Sequence, residues 1–182
     1  MPIKTKMMTE ITKKLQNIGQ SHWYWLVYIV GGLTLLAVAL FFQYSLEKPP
    51  CAMCIQVRLW ITLFIIVSFA GLLTRHHRIM NVIANLSTLL IAVGLTELSY
   101  RLLGTERGFI FSDCGLDLGL PAWFAIDEWL PALYRVETLC GYTPELFFGI
   151  TMAEMLIVMS ALLLLLTSAV FIASIVRLKK LD

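Results

Sequence analysis

The composition of this 182-residue chain excludes an ordinary soluble domain, because 59% of its residues are hydrophobic, only 14% are charged and the mean hydropathy is +0.81. The formal net charge of +2 is too small to indicate nucleic-acid binding, and the basic residues lie in short blocks between apolar runs. We therefore expect the chain to lie in a bilayer and to bind no nucleic acid.

Four apolar runs predict an all-α membrane protein, a bundle of four transmembrane helices. Each run is long enough, at 1.5 Å per residue, to cross about 30 Å of hydrocarbon. The predicted spans cover about residues 23–45, 55–74, 79–98 and 148–176. No cleavage site of small residues follows the first run, so the segment before it is expected to be an uncleaved anchor. The whole chain, 1–182, is predicted to form a single integral-membrane domain.

The distribution of lysine and arginine predicts the orientation of the spans. Basic residues precede the first span, separate the second from the third and follow the fourth: Lys4, Lys6, Lys13, Lys14, Arg75, Arg78, Arg177, Lys179 and Lys180. By the positive-inside rule, both termini are then cytoplasmic. The loops at about 46–54 and 99–147 consequently face outward and carry all four cysteines. On that oxidising side of a bacterial membrane, disulfides are favoured over zinc sites.

The long second loop contains one stretch with helical character, residues 121–134. Its tryptophan and phenylalanine content, with Asp127 and Glu128 on another face, predicts a short horizontal helix in the headgroup layer. The alternative is that these aromatic residues only pack the loop onto the bundle. Both interpretations keep the loop close to the membrane.

The short first loop ends in Pro49-Pro50-Cys51-Ala52-Met53-Cys54. Proline suits the entry of a helix but not its interior, so we expect the second helix to start near Cys51. A Cys-x-x-Cys at the start of a helix sets its sulfurs about one turn apart, and the helix N-terminus favours the thiolate over the thiol. The spacing therefore predicts that Cys51 and Cys54 form a redox-active pair.

Arg58 follows Cys54 by four residues, which puts it on the same helix face and roughly 6 Å deeper. One interpretation is an interfacial anchor whose guanidinium extends back to the headgroups. The other is that Arg58 stabilises the Cys54 thiolate and donates a hydrogen bond to a quinone carbonyl, whose oxygen becomes negative as it accepts electrons. We favour the second, because an intramembrane arginine beside a dithiol calls for an anionic partner. Arg58 and Cys54 are thus the candidate cofactor-binding residues.

The second cysteine pair, Cys114 and Cys140, encloses 25 residues of the long loop. As a structural staple, a disulfide here would stabilise the fold by about 3 kcal/mol through loop-closure entropy. As an exchangeable bond, it would be attacked by the thiolate of a visiting protein and pass the electrons to Cys51 and Cys54. The spacing alone favours the staple, whereas a Cys-x-x-Cys at the same membrane face favours exchange.

Two acidic residues border the apolar runs. Glu97 is expected to mark the end of the third span, and Glu154 is expected near the entry of the fourth. Neither pattern indicates a chemical role.

The chain resembles the DsbB family of disulfide-bond formation proteins, from about Trp25 to the fourth span. The residues that carry the resemblance are Phe42-Gln43, the Pro-Cys-x-x-Cys at 50–54 followed by Arg58, and the loop residues Cys114, Pro121, Trp123, Asp127, Trp129, Pro131 and Cys140. Four spans in the same order complete it. Gly141-Tyr142, directly after Cys140, departs from the acidic continuation of the family's best-known members.

The resemblance implies a membrane thiol:quinone oxidoreductase of the bacterial inner membrane. Such an enzyme reoxidises a periplasmic thioredoxin-fold dithiol oxidase of the DsbA type and passes the electrons to ubiquinone or menaquinone. By that likeness, Cys114 forms the mixed disulfide with the partner and Cys140 leaves it. Cys51 then relays to Cys54 beside the quinone, which Arg58 holds.

Two other functions fit part of the pattern. A quinone reductase of the vitamin K epoxide reductase type also has four helices and a Cys-x-x-Cys, but there the redox pair is expected late in the chain and the shuttle pair early. A non-enzymatic membrane protein could instead use the thiolates to hold Zn²⁺ or Cu⁺. The oxidising side predicted for the cysteines argues against that alternative, and we predict no metal site.

Overall fold

The computed structural model describes residues 18–110, 115, 118–121, 125–139, 145–147 and 149–179. Its main elements follow in the order α1 (His22–Ser45), α2 (Ala52–Thr74), α3 (Arg78–Glu106), α4 (Ile126–Trp129), α5 (Pro131–Tyr134), β1 (Glu145–Phe147), β2 (Ile150–Thr151) and α6 (Met152–Lys179). Helices α1, α2, α3 and α6 are long and apolar enough to cross a membrane. The prediction of an all-α membrane protein with a bundle of four transmembrane helices is confirmed.

The long helices pack as neighbours in chain order, α1 on α2, α2 on α3 and α3 on α6. Large apolar side chains cover the outside of the bundle, among them Val30, Phe41, Ile66, Leu90 and Leu165. Such a surface suits hydrocarbon, whereas the backbone polar groups are satisfied within each helix. We call the end of the bundle with Cys51, Cys54 and Arg58 the cysteine end, and the opposite end, with Asn81 and Asn85, the asparagine end.

Two glycines let indole rings enter the helix interfaces. Trp25 of α1 is fully buried over Gly71 of α2, where an added Cβ would lie 2.6 Å from the ring. Trp60 of α2 meets Gly94 of α3 at the same distance. Small residues at such points allow close helix packing without any other change in the backbone.

Uncharged polar side chains join the helices at the asparagine end. The Asn81 amide donates to the carbonyl of Gly19 at 3.1 Å, and the Asn85 amide donates to the Asn81 side chain at 3.0 Å. Tyr24 of α1 donates its hydroxyl proton to the Asn85 side-chain oxygen at 3.4 Å. Both asparagines are buried, so this network fixes α1 against α3 inside the membrane.

Helix α3 differs from its prediction, because it continues to Glu106 rather than ending near residue 98. Glu97 therefore lies within the helix, where the exposed Arg101 one turn later pairs with it at 2.5 Å. The helix ends where Gly108 adopts a φ of +75°, a conformation that glycine adopts without steric penalty. The helix thus continues past Glu97, and the expectation that Glu97 marks the end of the membrane span stays a prediction.

Helix α6 also starts later than expected, at Met152 instead of residue 148. The Thr151 hydroxyl accepts from the Glu154 N–H at 3.3 Å, and the Glu154 carboxylate accepts from the Thr151 N–H at 3.1 Å. This reciprocal capping box fixes the first turn of the helix. Glu154 also pairs with Arg107, which joins the start of α6 to the end of α3.

The helical stretch predicted at 121–134 appears in part, as the short helices α4 and α5. Pro131 begins α5, and the break falls at Leu130. Tyr134 is buried in a cluster with Ile55 of α2, whereas Trp129 is exposed. The packing of α5 agrees with a loop that lies on the bundle, and the horizontal placement in the headgroup layer stays a prediction.

Candidate redox site at the N-terminus of α2

Cys51 is the N-cap residue of α2, in the extended conformation that two preceding prolines favour. Its sulfur accepts the backbone N–H of Cys54 at 3.3 Å, which satisfies one of the donors left unpaired at a helix N-terminus. A sulfur in this position receives both a hydrogen bond and the positive end of the helix dipole. The cap therefore stabilises a negative charge on Cys51.

The two sulfurs of the Cys-x-x-Cys lie 2.7 Å apart, and both residues are free thiols. Only a small movement separates this arrangement from the roughly 2.05 Å of a disulfide bond. The hydrogen bond from the Cys54 thiol lowers the pKa of Cys51 to about 7. This shift favours the thiolate of Cys51, which is the form that attacks a disulfide.

Arg58 is buried, with 5% of its surface exposed, and three acceptors hold its guanidinium. It donates to the Gln43 side-chain oxygen at 2.6 Å, to the Ala39 carbonyl at 3.1 Å and to the Leu133 carbonyl at 3.0 Å. The first two acceptors belong to α1 and the third to α5. Arg58 therefore links two helices of the bundle to the long loop, and it does not extend to the surface as an interfacial anchor would.

An apolar cleft opens beside these groups at the cysteine end. Its walls come from α1, the first loop, α2, α3 and α6: Leu35, Ala39, Phe42, Lys48, Pro49, Pro50, Cys54, Val57, Arg58, Ile61, Leu102, Met152 and Leu156. Cys54 and Arg58 thus face the same space. An apolar cavity with one cationic donor and one reactive sulfur suits a flat, apolar molecule with polar carbonyl oxygens, such as a quinone.

The long loop returns to the Cys-x-x-Cys through its backbone. The Pro50 carbonyl accepts the N–H groups of Glu137 and Thr138 at 3.0 and 3.3 Å, and Thr138 forms a parallel bridge with Cys51. Only 2% of the Cys51 surface is exposed, whereas Cys54 is half-buried. Cys140 follows Thr138 by two residues in the sequence.

The predicted loop pair, Cys114 and Cys140, lies outside the described residues. The structure brings together the other three predicted site residues, Cys51, Cys54 and Arg58, at one end of α2. Within the described ranges, no group of three or more His, Cys, Asp or Glu side chains is placed to hold a metal ion.

Sequence reasoning did not assign a role to Gln43, although it stands within an apolar run. Its side chain is buried and forms the shortest of the hydrogen bonds to Arg58. The available signal was its polarity, because an amide in a membrane span usually faces another helix. The identity of its partner depends on how α1 and α2 pack, which the sequence pattern does not specify.

The family model for DsbB, described as disulfide bond formation protein DsbB, matches residues 21–170 of the chain. Disulfide bond formation protein B of Shewanella sp. (strain MR-4) is 30% identical over 135 residues, or 74% of this chain and 77% of the relative. Disulfide bond formation protein B 2 of Pseudomonas aeruginosa (strain PAO1) is 30% identical over 148 residues, or 80% and 85%.

Disulfide bond formation protein B of Pasteurella multocida (strain Pm70) is 29% identical over 160 residues, or 85% of this chain and 88% of the relative. The match therefore extends over the four long helices and the redox site rather than over one motif. The chain is a multi-pass membrane oxidoreductase that forms disulfide bonds, and it belongs to the DsbB family.

Proposed function

We propose that this protein is a thiol:quinone oxidoreductase that reoxidises a periplasmic DsbA-like dithiol oxidase of the thioredoxin fold. The observation that carries the proposal is that Cys54 and Arg58 line one apolar cleft, with Cys51 2.7 Å from Cys54 on its other side. The cleft is open to an apolar acceptor, and Cys51 lies against the loop that receives the protein partner. Electrons from the partner would therefore enter at one sulfur and leave at the other.

The first step in this proposal takes place at the loop pair. A thiolate of the partner attacks Cys114, Cys140 leaves as a thiolate, and the second partner thiolate releases the now oxidised partner and leaves Cys114 reduced. The backbone pairing of Thr138 with Cys51 supports the next transfer, because two residues span at most about 7 Å. The Cys140 thiolate then attacks Cys51 in the Cys51–Cys54 disulfide, which forms a Cys140–Cys51 mixed disulfide and releases Cys54 as a thiolate.

The second step regenerates the loop disulfide and reduces the helix pair to two thiols. The thiolate of Cys114 attacks Cys140 in the mixed disulfide, and Cys51 leaves as a thiolate, which its position as helix cap stabilises. Arg58 stabilises negative charge that develops on the cleft side of Cys54. Reoxidation of the Cys51–Cys54 dithiol releases two electrons and two protons, which ubiquinone or menaquinone accepts when it is bound.

This reaction requires the cysteine end to face the periplasm of the bacterial inner membrane, with both termini in the cytoplasm. The lysine and arginine distribution supports that orientation. A single integral-membrane domain over residues 1–182 then contains both thiol pairs and the acceptor cleft. Reporter fusions after Gly104 and after His76 test the orientation, and a cytoplasmic signal at Gly104 would contradict the proposal.

The decisive experiment follows quinone absorbance under anaerobic conditions with the purified protein. We expect a reduced thioredoxin-fold oxidase of the DsbA type to be oxidised with the loss of one quinone per disulfide formed. Cys54→Ser should abolish quinone reduction from every thiol donor, because no other described thiol lines the cleft with Arg58. Undiminished quinone reduction by Cys54→Ser would contradict the proposal.

Free thiols in the purified, unreduced protein separate this function from metal binding. Disulfides do not react with a thiol reagent, whether or not a chelator is present. Four thiols that become reactive only after chelation would indicate a thiolate metal site and would contradict the oxidase mechanism.

A further inference from the structure

The acceptors that hold Arg58 within the described part of the chain are all electrically neutral. The Gln43 amide oxygen is the nearest at 2.6 Å, and the other two are the backbone carbonyls of Ala39 and Leu133. Among the residues that the structure describes, no carboxylate forms an ion pair with Arg58. A buried arginine usually has an anionic partner, so this arrangement is unusual.

Two other arginines of the described chain differ from Arg58 in this respect. Arg101 pairs with Glu97, and Arg107 pairs with Glu154, so a carboxylate offsets each charge. Both of those arginines lie at exposed positions, where water already screens the charge. The guanidinium of Arg58, in contrast, is buried, and no described carboxylate lies within ion-pair distance of it.

The ionisable groups near Arg58 come from four parts of the chain: α1, the first loop, α2 and the long loop. Cys51 and Cys54 lie on its own side of α2, and the Tyr44 hydroxyl of α1 donates to the Ala132 carbonyl. Lys48 of the first loop lines the same cleft. Glu137 is exposed on the loop segment that pairs with Pro50, and it forms no ion pair with Arg58. Cys54 is therefore the acidic group that lines the cleft together with Arg58.

We propose that Gln43 is a positioning residue that fixes the Arg58 guanidinium at the cleft while leaving its positive charge uncompensated. The amide holds the cation by a short hydrogen bond but carries no charge of its own. A glutamate in the same place would form a charge-assisted pair and cancel the positive charge that faces Cys54. The inference rests on the proposed function, because it assumes that Arg58 stabilises negative charge on Cys54 or on an acceptor oxygen.

Two substitutions of Gln43 separate the effect of its hydrogen-bond acceptor from the effect of an added negative charge. Gln43→Glu keeps an acceptor of the same length and adds a negative charge, and ionisation is favoured by the adjacent arginine. Gln43→Met keeps the approximate volume and removes the acceptor. If Gln43 only stabilises the fold, Gln43→Glu should be the more stable and also the more active variant, because it retains a partner for the buried cation.

If Gln43 positions Arg58 without cancelling its charge, Gln43→Glu and Gln43→Met should rank in opposite orders for stability and for activity. The thermal unfolding midpoint of Gln43→Glu should equal or exceed that of Gln43→Met. Its rate of quinone reduction with dithiothreitol at pH 7.5 should nevertheless fall at least about tenfold below wild type and below Gln43→Met, since a charge-assisted interaction is lost. Activity that follows the same order as stability would overturn the proposal.

A readout without quinone keeps this test independent of the proposed function. In fully reduced protein that carries Cys51→Ser throughout, so that Cys54 is the remaining thiol of the helix pair, the rate at which iodoacetamide modifies Cys54, followed by peptide mass, reports the thiolate that Arg58 stabilises. We expect Gln43→Glu to slow this reaction about tenfold relative to wild type and more than Gln43→Met does. An unchanged rate would overturn the role of Gln43 even if the enzyme reduces quinone.

The matched control introduces the same charge on another face of α2. The Gln56 amide donates to the Leu118 carbonyl at 3.0 Å and does not contact Arg58. Gln56→Glu should leave the alkylation rate of Cys54 within about threefold of wild type, because the added carboxylate does not pair with Arg58. A loss as large as that of Gln43→Glu would show a nonspecific charge effect and overturn the assignment. If wild type reduces no quinone, the proposed function fails while the alkylation rates still decide the role of Gln43.

Discussion

The two ends of the bundle both bury polar side chains, but they satisfy them differently. At the asparagine end, Asn81 and Asn85 are amides that hydrogen-bond to each other and to neighbouring helices, and no charged side chain of the described residues is buried with them. At the cysteine end, a guanidinium is buried among neutral acceptors beside two thiols. The first arrangement fixes helices in place, whereas the second keeps a cation available for chemistry.

This difference indicates which polar residues of a membrane bundle to test for function. A buried network whose donors and acceptors pair with one another mainly makes the packing rigid. Arg58 has its hydrogen bonds satisfied by oxygen atoms but its charge is not offset, and Cys54 beside it is a group that can become anionic. Substitutions at the two ends should accordingly change different properties.

The largest effect is expected from a substitution that separates the roles of the two thiol pairs. Cys114→Ser should reduce oxidation of a protein partner to background, because the long loop carries the only thiols proposed to meet a folded domain. Quinone reduction with a small dithiol should persist, since Cys54 is half-buried rather than enclosed. Quinone absorbance measured with each donor tests this, and oxidation of the protein partner at the wild-type rate would make Cys114–Cys140 a structural staple.

Arg58→Met should lower kcat/KM for quinone by roughly 10- to 100-fold, because it removes a charge-assisted hydrogen bond of about 1.5–3 kcal/mol. Disulfide exchange between a partner and the loop pair should remain near the wild-type rate. Stopped-flow measurement of each half-reaction separates the two effects. The prediction is contradicted if the exchange step and the quinone step decline equally.

The pH dependence of Cys51 alkylation should show how the N-cap position and the hydrogen bond from Cys54 lower the pKa of the Cys51 thiol. With a pKa of about 7, the thiolate fraction of Cys51 rises as pH increases, by close to tenfold between pH 6 and pH 8. Alkylation of Cys51 in the reduced protein should follow that curve. In Cys54→Ala the midpoint should move up toward the ordinary cysteine value, because the largest cause of the lowered pKa is lost. A midpoint that stays near 7 would attribute the lowering to the helix N-terminus alone.

The smallest effect on activity is expected at the asparagine end. Asn85→Leu should leave quinone reduction within about twofold of wild type and lower the free energy of unfolding by about 1–2 kcal/mol, because it leaves the Asn81 oxygen and the Tyr24 hydroxyl without their partner. Unfolding by sodium dodecyl sulfate in micelles measures the change. A large loss of activity at unchanged stability would mean that the two ends are coupled.

Much of the fold could be predicted because bilayer thickness limits the length of an apolar run. The start of α2 was also predictable, since Pro49 and Pro50 cannot continue a helix and Cys51 follows directly. The start of α6 was signalled by the Thr151-x-x-Glu154 capping box, but the apolar character of Phe147 and Phe148 favoured an earlier start.

The end of α3 and the contacts of Arg58 were not available from the pattern. Glu97 looked like a boundary because an acid inside a span is expensive, yet Arg101 on the same face pairs with it. The partners of Arg58 lie 15, 19 and 75 residues away in the chain, so only the packed structure identifies them. Local spacing identified the reactive groups, and tertiary packing determined what holds them.

The Pro50 carbonyl determines how the long loop is attached to the start of α2. It accepts two N–H groups from Glu137 and Thr138, but Pro49 and Pro50 have no N–H to offer in return. The hydrogen bonds of this contact therefore run only from the long loop to the Pro50 carbonyl, and the pairing cannot extend into a longer sheet. Its two bonds contribute about 1–3 kcal/mol in all, so on their own they would leave the segment detached in roughly 1–15% of molecules. Release of these two bonds would leave the helix cap intact, because the Cys51 sulfur accepts its hydrogen bond from the Cys54 N–H within α2.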